Sequence, residues 1–186
     1  VDVAWGGMFY VIADVRQFQG LELVPEHGAE ITRVASLVLG AAQQQLPVAH
    51  PDYPGIGITN VQLSGPTTNP NADWKNVVRV GSGLVDLDNP ATWTGAIDRC
   101  PCGTGTCAKM AVLHAKGELA LGQKFRHEGI LGTVYTGELV EQTVLGEHDA
   151  VVPTVGGQSW IYGYSTYVLD PTDPFTDGFK VGDIWA

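Results

Sequence analysis

The chain has 186 residues, a net charge of −10, 44% apolar and only 16% charged side chains, enough for one domain or two small ones that bury much of their surface. That balance excludes a nucleic-acid binder, which needs a basic face, and gives no basic run for an anionic membrane surface. There is no signal-peptide pattern at Val1 and no apolar run long enough to span a bilayer, and three cysteines in one cluster are not a disulfide framework, so a reducing, cytoplasmic setting is expected.

In chain order, residues 1–14 read as a strand pair or bent strand, with Gly6-Gly7 marking a bulge or a close approach. Pro25 opens a helix that ends near Gln45, before Pro47. Its apolar positions Ile31, Val34, Ala35, Val38, Ala41 and Ala42 recur at three- and four-residue steps, a stripe that packs on a sheet. His50 falls in a proline-rich connection and reads as a loop residue rather than a ligand. Ile58–Leu63 and Lys75–Val80 are strands, and 81–95 is an inserted loop that either covers a functional site or rides on the surface, with the surface expected. A second helix, Ala108 to Gly117, is apolar nearly all round and therefore buried, with Gly117 as its stop and His114 packed structurally near its end. Strands are expected at Gln123–His127, Gly132–Val144, Ala150–Val155 and Ser159–Leu169. Strands wrapped around one apolar helix, with another helix outside, make an α+β fold.

The chain is organised around Asp98-Arg99-Cys100-Pro101-Cys102-Gly103-Thr104-Gly105-Thr106-Cys107, which holds all three cysteines. A helix start leaves N–H groups unpaired and carries partial positive charge, so an anion can bind there and a nearby thiol is expected to titrate below its free value. Two other readings compete. The glycines make a tight turn around a structural cysteine, or the cysteines ligate metal. Structural zinc needs four ligands, and no second Cys or Cys/His pair accompanies this cluster among the five scattered histidines, so metal is disfavoured. A phosphate loop is weaker still, because no Gly-Lys-Ser/Thr follows the glycines.

The run Asp-Arg-Cys-Pro-Cys-Gly-Thr-Gly-Thr-Cys-Ala-Lys-Met-Ala resembles the second catalytic motif of the proline racemase and 4-hydroxyproline epimerase family. Residues 1–14, His114-Ala-Lys-Gly-Glu-Leu, His127-Glu-Gly-Ile-Leu-Gly-Thr and Asp170-Pro-Thr-Asp-Pro-Phe also resemble family landmarks, so the similarity covers nearly the whole chain. The resemblance implies a diaminopimelate-epimerase-like half, a curled, mostly antiparallel sheet around a central apolar helix. It implies that 1–186 is the C-terminal half of a two-domain enzyme, with about 156–186 crossing back to an N-terminal half that is missing here. Family members are longer and carry a first Cys-Gly-His motif, which does not occur in this sequence, and the chain begins at Val1 rather than Met, so a fragment is expected.

The implied chemistry is racemisation or epimerisation at the α-carbon of proline or 4-hydroxyproline by two cysteines on opposite faces, without metal, pyridoxal phosphate or other cofactor. Cys102 matches the second acid/base. Asp98 matches the group that holds the ring nitrogen, with a helix-entry cap as the alternative role. Gly103 and Thr104 match the carboxylate-binding residues. The implied partners are a small amino-acid substrate and the missing half, with a homodimer as a further assembly. Cys100 and Cys107 stand where serine is usual, and they add thiols able to oxidise against Cys102. Relatives that dehydrate 3-hydroxyproline carry threonine or serine at the Cys102 position, so cysteine favours inversion. The remaining alternatives are a non-catalytic structural or binding fragment, a dehydratase-like relative and a redox or metal-responsive cysteine cluster. Isolated, the chain is expected to be inactive.

Overall fold

The computed structural model describes residues 1–81 and 83–179. Eight strands form one curled mixed sheet with two helices, an α+β architecture. The strands are β1 (Asp2–Trp5), β2 (Phe9–Asp14), β3 (Ile58–Gly65), β4 (Trp74–Val80), β5 (Ala96–Ile97), β6 (Lys124–Glu128), β7 (Val134–Leu145) and β8 (His148–Gly156). The helices are α1 (Gly28–Gln45) and α2 (Gly103–Ala115). The sheet order is β1-β2-β3-β4-β6-β7-β8, with the short β5 paired to β4. Neighbours are antiparallel except β2 with β3 and β4 with β6. Those two parallel pairs are the ones whose connections carry a helix, as a parallel crossover requires.

Strand alternation divides the core. Phe9, Val11 and Ala13 of β2 join Val61, Leu63 and Val77 against Ile31, Val34, Ala35 and Leu39 of α1. The intervening Tyr10 and Ile12 face the other way, with Val78, onto Cys102, Ala108 and Val112 of the α2 segment. Beyond them Met110 and Leu113 meet Phe125 and Leu139, so α2 is enclosed on two sides by the curling sheet. The apolar stripe on α1 is close to that expected, with Leu39 buried and Val38 and Ala41 only half-buried. Pro25 starts it through a short 3₁₀ turn, Pro25–His27, before regular helix begins. At its C-terminal end α2 closes in a Schellman arrangement: Gly117, at φ +75°, donates to His114, and Glu118 donates to Leu113. His114 Nδ1 lies 2.8 Å from the Leu119 carbonyl, a structural placement. His50 sits in its loop but is buried, its ring 4.3 Å from Trp5 and 4.8 Å from Tyr53 by centroids.

Two glycines let this architecture close. Gly6, in the β1–β2 turn, packs directly on the first turn of α2. A Cβ there would stand 2.2 Å from the Thr104 carbonyl oxygen and 2.5 Å from the Ala108 nitrogen. Neighbouring Gly7 adopts φ +108° against the Thr104 methyl. Because the obstacles at Gly6 are backbone atoms, they cannot rotate away. Gly6→Ala should destabilise the protein by about 3 kcal/mol and displace the α2 start. Urea denaturation checks it, and an unchanged midpoint would contradict the packing.

The loop between β4 and β5 lies on the α1 side of the sheet, away from Cys102. Val85 is buried against the α1 core and its N–H donates to Gln43 Oε1 at 3.1 Å, while Trp93 Nε1 donates to the Asp86 carbonyl at 2.8 Å. It therefore rides on the outer surface rather than covering the motif.

One expected strand is corrected. Ser159–Leu169 has no strand structure, and Trp160, Ile161, Tyr162, Tyr164, Tyr167, Val168 and Leu169 are all exposed. The aromatic alternation suits a strand, but this segment pairs with neither edge of the sheet, and an extended chain without a ladder partner is not a strand. Among the described residues no helix is long and apolar enough to cross a membrane.

Candidate active site

The site forms where the chain leaves β5 and enters α2. Asp98 N–H donates to the Val78 carbonyl at 3.1 Å, holding the segment against β4. Three residues on, the Pro101 carbonyl accepts from Asn76 Nδ2 at 3.1 Å and Thr106 Oγ1 at 3.2 Å. Between these anchors Cys102 adopts φ +64° and ψ +118°, the single non-glycine residue at positive φ among the described residues. For a side chain with a Cβ this geometry costs about 1–3 kcal/mol, and it persists only where surrounding bonds impose it. It turns the sulfur inward, and Cys102 is 7% exposed.

The helix starts five residues earlier than the apolar pattern predicts, at Gly103 rather than Ala108, with Cys102 as its N-cap. Glycine and threonine are poor helix formers, so local propensity argues against this first turn. Tertiary contacts override it. Thr106 Oγ1 lies 2.9 Å from Nδ1 of His127 on β6, Gly6 presses from the opposite side, and Gly105 fits between Gln62, Val78 and the Cys102 sulfur. The result is a helix start of the kind that can receive an anion. The N–H groups of Gly103 and Thr104 have no intrahelical acceptor, and Gly103 is exposed with open space where a side chain would be.

His127 is fully buried, and burial, together with the nearby Lys109 charge, lowers its pKa to about 3. In the unfolded chain it titrates near 6.5, so between those values the unfolded state binds the extra proton. The stability from neutral His127 is complete above pH 6.5 and drains away as pH falls towards 3. Between pH 6.5 and 5 the loss should approach about 1.4 kcal/mol per pH unit, visible in urea titrations, and His127→Gln should flatten that slope.

Opposite Cys102 stands Tyr10 of β2, a residue that sequence reading did not single out. Its hydroxyl is 3.3 Å from Cys102 Sγ and 2.7 Å from Thr104 Oγ1. The only advance signal was a hydroxyl in a strand otherwise apolar up to its terminal Asp14. Burial pushes the phenol far above its ordinary value, with Cys102 and Asp98 adding to the rise.

The expected low thiol pKa is corrected. Burial raises the Cys102 thiol above the ordinary range, and the nearby Asp98 carboxylate raises it further. The Tyr10 hydroxyl and the Gly105 N–H pull it down but do not compensate. The helix terminus is present as anticipated, but desolvation of a buried sulfur outweighs it.

Asp98 is therefore close enough to act on the sulfur electrostatically, and it is half-buried. The alternative of a helix-entry cap is overturned, because the N-cap is Cys102 and the helix begins five residues after Asp98. Tyr135 on β7 completes this wall, also unforeseen, its pKa raised first by a hydrogen bond with Cys100 and then by burial. All three cysteines are free thiols, Cys100 and Cys107 half-buried. Among the described residues no three His, Cys, Asp or Glu side chains are grouped to hold a metal ion.

The structure thus brings Asp98, Cys102, Gly103 and Thr104 together, with Tyr10 and Tyr135 from distant strands. Residues 1–180 match the family model described as proline racemase. The chain is 38% identical over 179 residues to a proline racemase of Clostridioides difficile, covering 96% of this chain and 50% of that protein. It is 34% identical over 181 residues to a proline racemase of Acetoanaerobium sticklandii, covering 97% and 50%. Among solved structures, a hydroxyproline epimerase from Agrobacterium vitis with bound trans-4-hydroxy-L-proline superposes with a TM-score of 0.74 at 34% identity, over 99% of this chain and 49% of that one. A probable proline racemase from Agrobacterium radiobacter with bound carbonate gives the same TM-score at 30% identity, over 99% and 50%. The chain spans about half the length of these relatives. From its first strand to beyond the Asp170 turn, it belongs to the proline racemase family.

Proposed function

We propose that this chain supplies one face of a cofactor-independent racemase or epimerase that inverts the α-carbon of proline or 4-hydroxyproline. The observation that carries the reading is the strained Cys102, its sulfur held at the entrance of α2 beside two unpaired N–H groups and within electrostatic reach of Asp98.

The α-hydrogen of an amino acid is barely acidic, and a single base returns the proton to the face it left. Inversion in one pass needs a base and an acid on opposite faces. Cys102 is one of them, a thiolate for one enantiomer and a thiol for the other. Gly103 and Thr104 N–H groups, with the Thr104 hydroxyl, hold the carboxylate and stabilise the charge that spreads onto it as the Cα–H bond breaks. Asp98 pairs with the ring ammonium. The opposing thiol comes from the complementary half of the complete enzyme. The exposed Trp160–Leu169 segment, largely apolar and without a strand partner among the described residues, supports a seat for that half. Three neighbouring free thiols fit a reducing cytoplasm.

The test is exchange of the Cα hydrogen in D2O, followed by NMR, with L- and D-proline and the cis and trans 4-hydroxyprolines. The complete polypeptide carrying these residues should exchange at least one of them, and the 186-residue chain alone should exchange none. Turnover by the short chain alone would overturn the two-face assignment. No exchange by the complete polypeptide would overturn racemisation itself.

A further inference from the structure

Tyr10 places a single hydroxyl between two groups of the site, 3.3 Å from Cys102 Sγ and 2.7 Å from Thr104 Oγ1. Sulfur and threonine oxygen are themselves 3.9 Å apart, so the phenol is the better connection between them. The ring is 1% exposed, locked between β1 and β3 with α2 above it, so solvent does not compete for the hydroxyl. A Cβ at Gly7 would stand 2.9 Å from the Thr104 methyl, so the glycine backbone lies close beside that side chain.

A phenol has one proton to donate and two lone pairs to accept with. It can donate to the sulfur or to the threonine, but not to both. Charge decides which. A thiolate is the stronger acceptor, so Tyr10 donates to Sγ while Cys102 is ionised, and the Thr104 hydroxyl can donate back to Tyr10. A neutral thiol has no such claim. The phenol proton then turns to Thr104 Oγ1, and the threonine proton must point elsewhere.

We propose that Tyr10 is a positioning residue that transfers its hydrogen bond from Cys102 to Thr104 as the sulfur takes up the substrate proton. The inference rests on the racemase reading of the site. When the Cα–H bond breaks, its electron pair spreads into the carboxylate and the proton forms the S–H bond. Negative charge leaves the sulfur and grows on the carboxylate in the same event. Tyr10, released by the sulfur, donates to Thr104 Oγ1 and directs the threonine proton onto the carboxylate. On this face of the α-carbon the substrate proton is the only one that changes owner, while the opposing thiol delivers its own proton to the other face and completes the inversion. The hydroxyl protons of Tyr10 and Thr104 only turn, and in the reverse direction they turn back.

The experiment uses the complete polypeptide, with Tyr10→Phe and with 3-fluorotyrosine placed at position 10. Alkylation of Cys102 by iodoacetamide is followed against pH by mass spectrometry of its peptide, alongside kcat and KM. Phenylalanine should move the Cys102 titration up by about one pH unit and lower kcat by about 10- to 100-fold, with KM changed less than about threefold. Fluorotyrosine, a stronger donor of nearly the same shape, should move the titration down, opposite to the phenylalanine variant. A Tyr10→Phe alkylation profile that overlays the parent's would overturn the inference, and so would a shifted titration with unchanged kcat. If Tyr10→Phe does not fold, the direction of the fluorotyrosine shift decides. Alkylation needs no substrate, so a polypeptide that turns over nothing overturns the racemase reading, while the titration still decides whether Tyr10 governs the sulfur.

Discussion

Serine at position 102 should lower Cα-hydrogen exchange by about 10³-fold in the complete polypeptide while leaving the fold in place. The substitution keeps the side-chain shape and the hydrogen-bonding partners Tyr10 and Thr104. What it removes is the more acidic group, because a hydroxyl yields its proton far less readily than a thiol. The raised pKa of Cys102 adds a signature that a merely structural cysteine lacks. In the free enzyme the thiol form predominates at neutral pH, since burial and Asp98 both disfavour the thiolate. For an inversion, kcat/KM should therefore climb as pH rises above neutrality, and by the same factor from either enantiomer, because their ratio is fixed by an equilibrium constant that pH does not change. Isotope exchange followed against pH reads this rise, and a Cys102→Ser variant with parental exchange rates would remove Cys102 from the mechanism.

Asp98→Asn should have two effects of opposite sign. Asparagine loses the negative charge that pairs with a ring ammonium, so kcat/KM should fall by about 100-fold. The same change removes a charge that raises the Cys102 thiol, so alkylation of Cys102 at pH 7.5 should become faster, by about fivefold. A reactive thiol that has become a poor catalyst is hard to obtain from general disruption, which slows turnover without sharpening one cysteine's ionisation. The pair of effects also implies substrate-assisted ionisation. When an ammonium docks on Asp98, the local negative charge is neutralised and the thiolate becomes accessible where it is needed. Unchanged alkylation in the variant would mean that Asp98 does not act on the sulfur, and its assignment would rest on resemblance alone.

The site also accounts for the unusual entry into α2. Its positive-φ cysteine and glycine-rich first turn are unfavourable locally, yet they are held by Asn76, His127 and the Gly6 approach. A single helix terminus then presents a sulfur and an anion-binding pair of N–H groups to the same space. This is the arrangement a proton-abstracting site beside a carboxylate requires, and it explains why Gly6→Ala should be felt as loss of turnover as well as of stability.

Much of this was legible in the chain itself, because the features concerned are local. The three- and four-residue spacing from Ile31 to Ala42 specified α1 against a sheet, and the apolar residues from Ala108 to Ala115 specified a buried helix. The limits of the longer strands were found to within a few residues because several of them stop at a glycine, as at Gly6, Gly81, Gly129 and Gly146. The contiguous stretch from Asp98 to Thr104 carried every site residue that resemblance assigned. Tertiary structure decided the rest. Tyr10 reaches Cys102 across 92 positions of sequence and His127 reaches Thr106 across 21, separations to which no periodic pattern responds. The first turn of α2 exists only because those partners outweigh the poor propensity of Gly103-Thr104-Gly105. The sulfur's pKa rises rather than falls because burial is a property of the packed core, while the helix terminus that favours ionisation is visible in one dimension. Ser159–Leu169 fails as a strand for the complementary reason: its alternation is local, but a strand exists only where another backbone lies beside it.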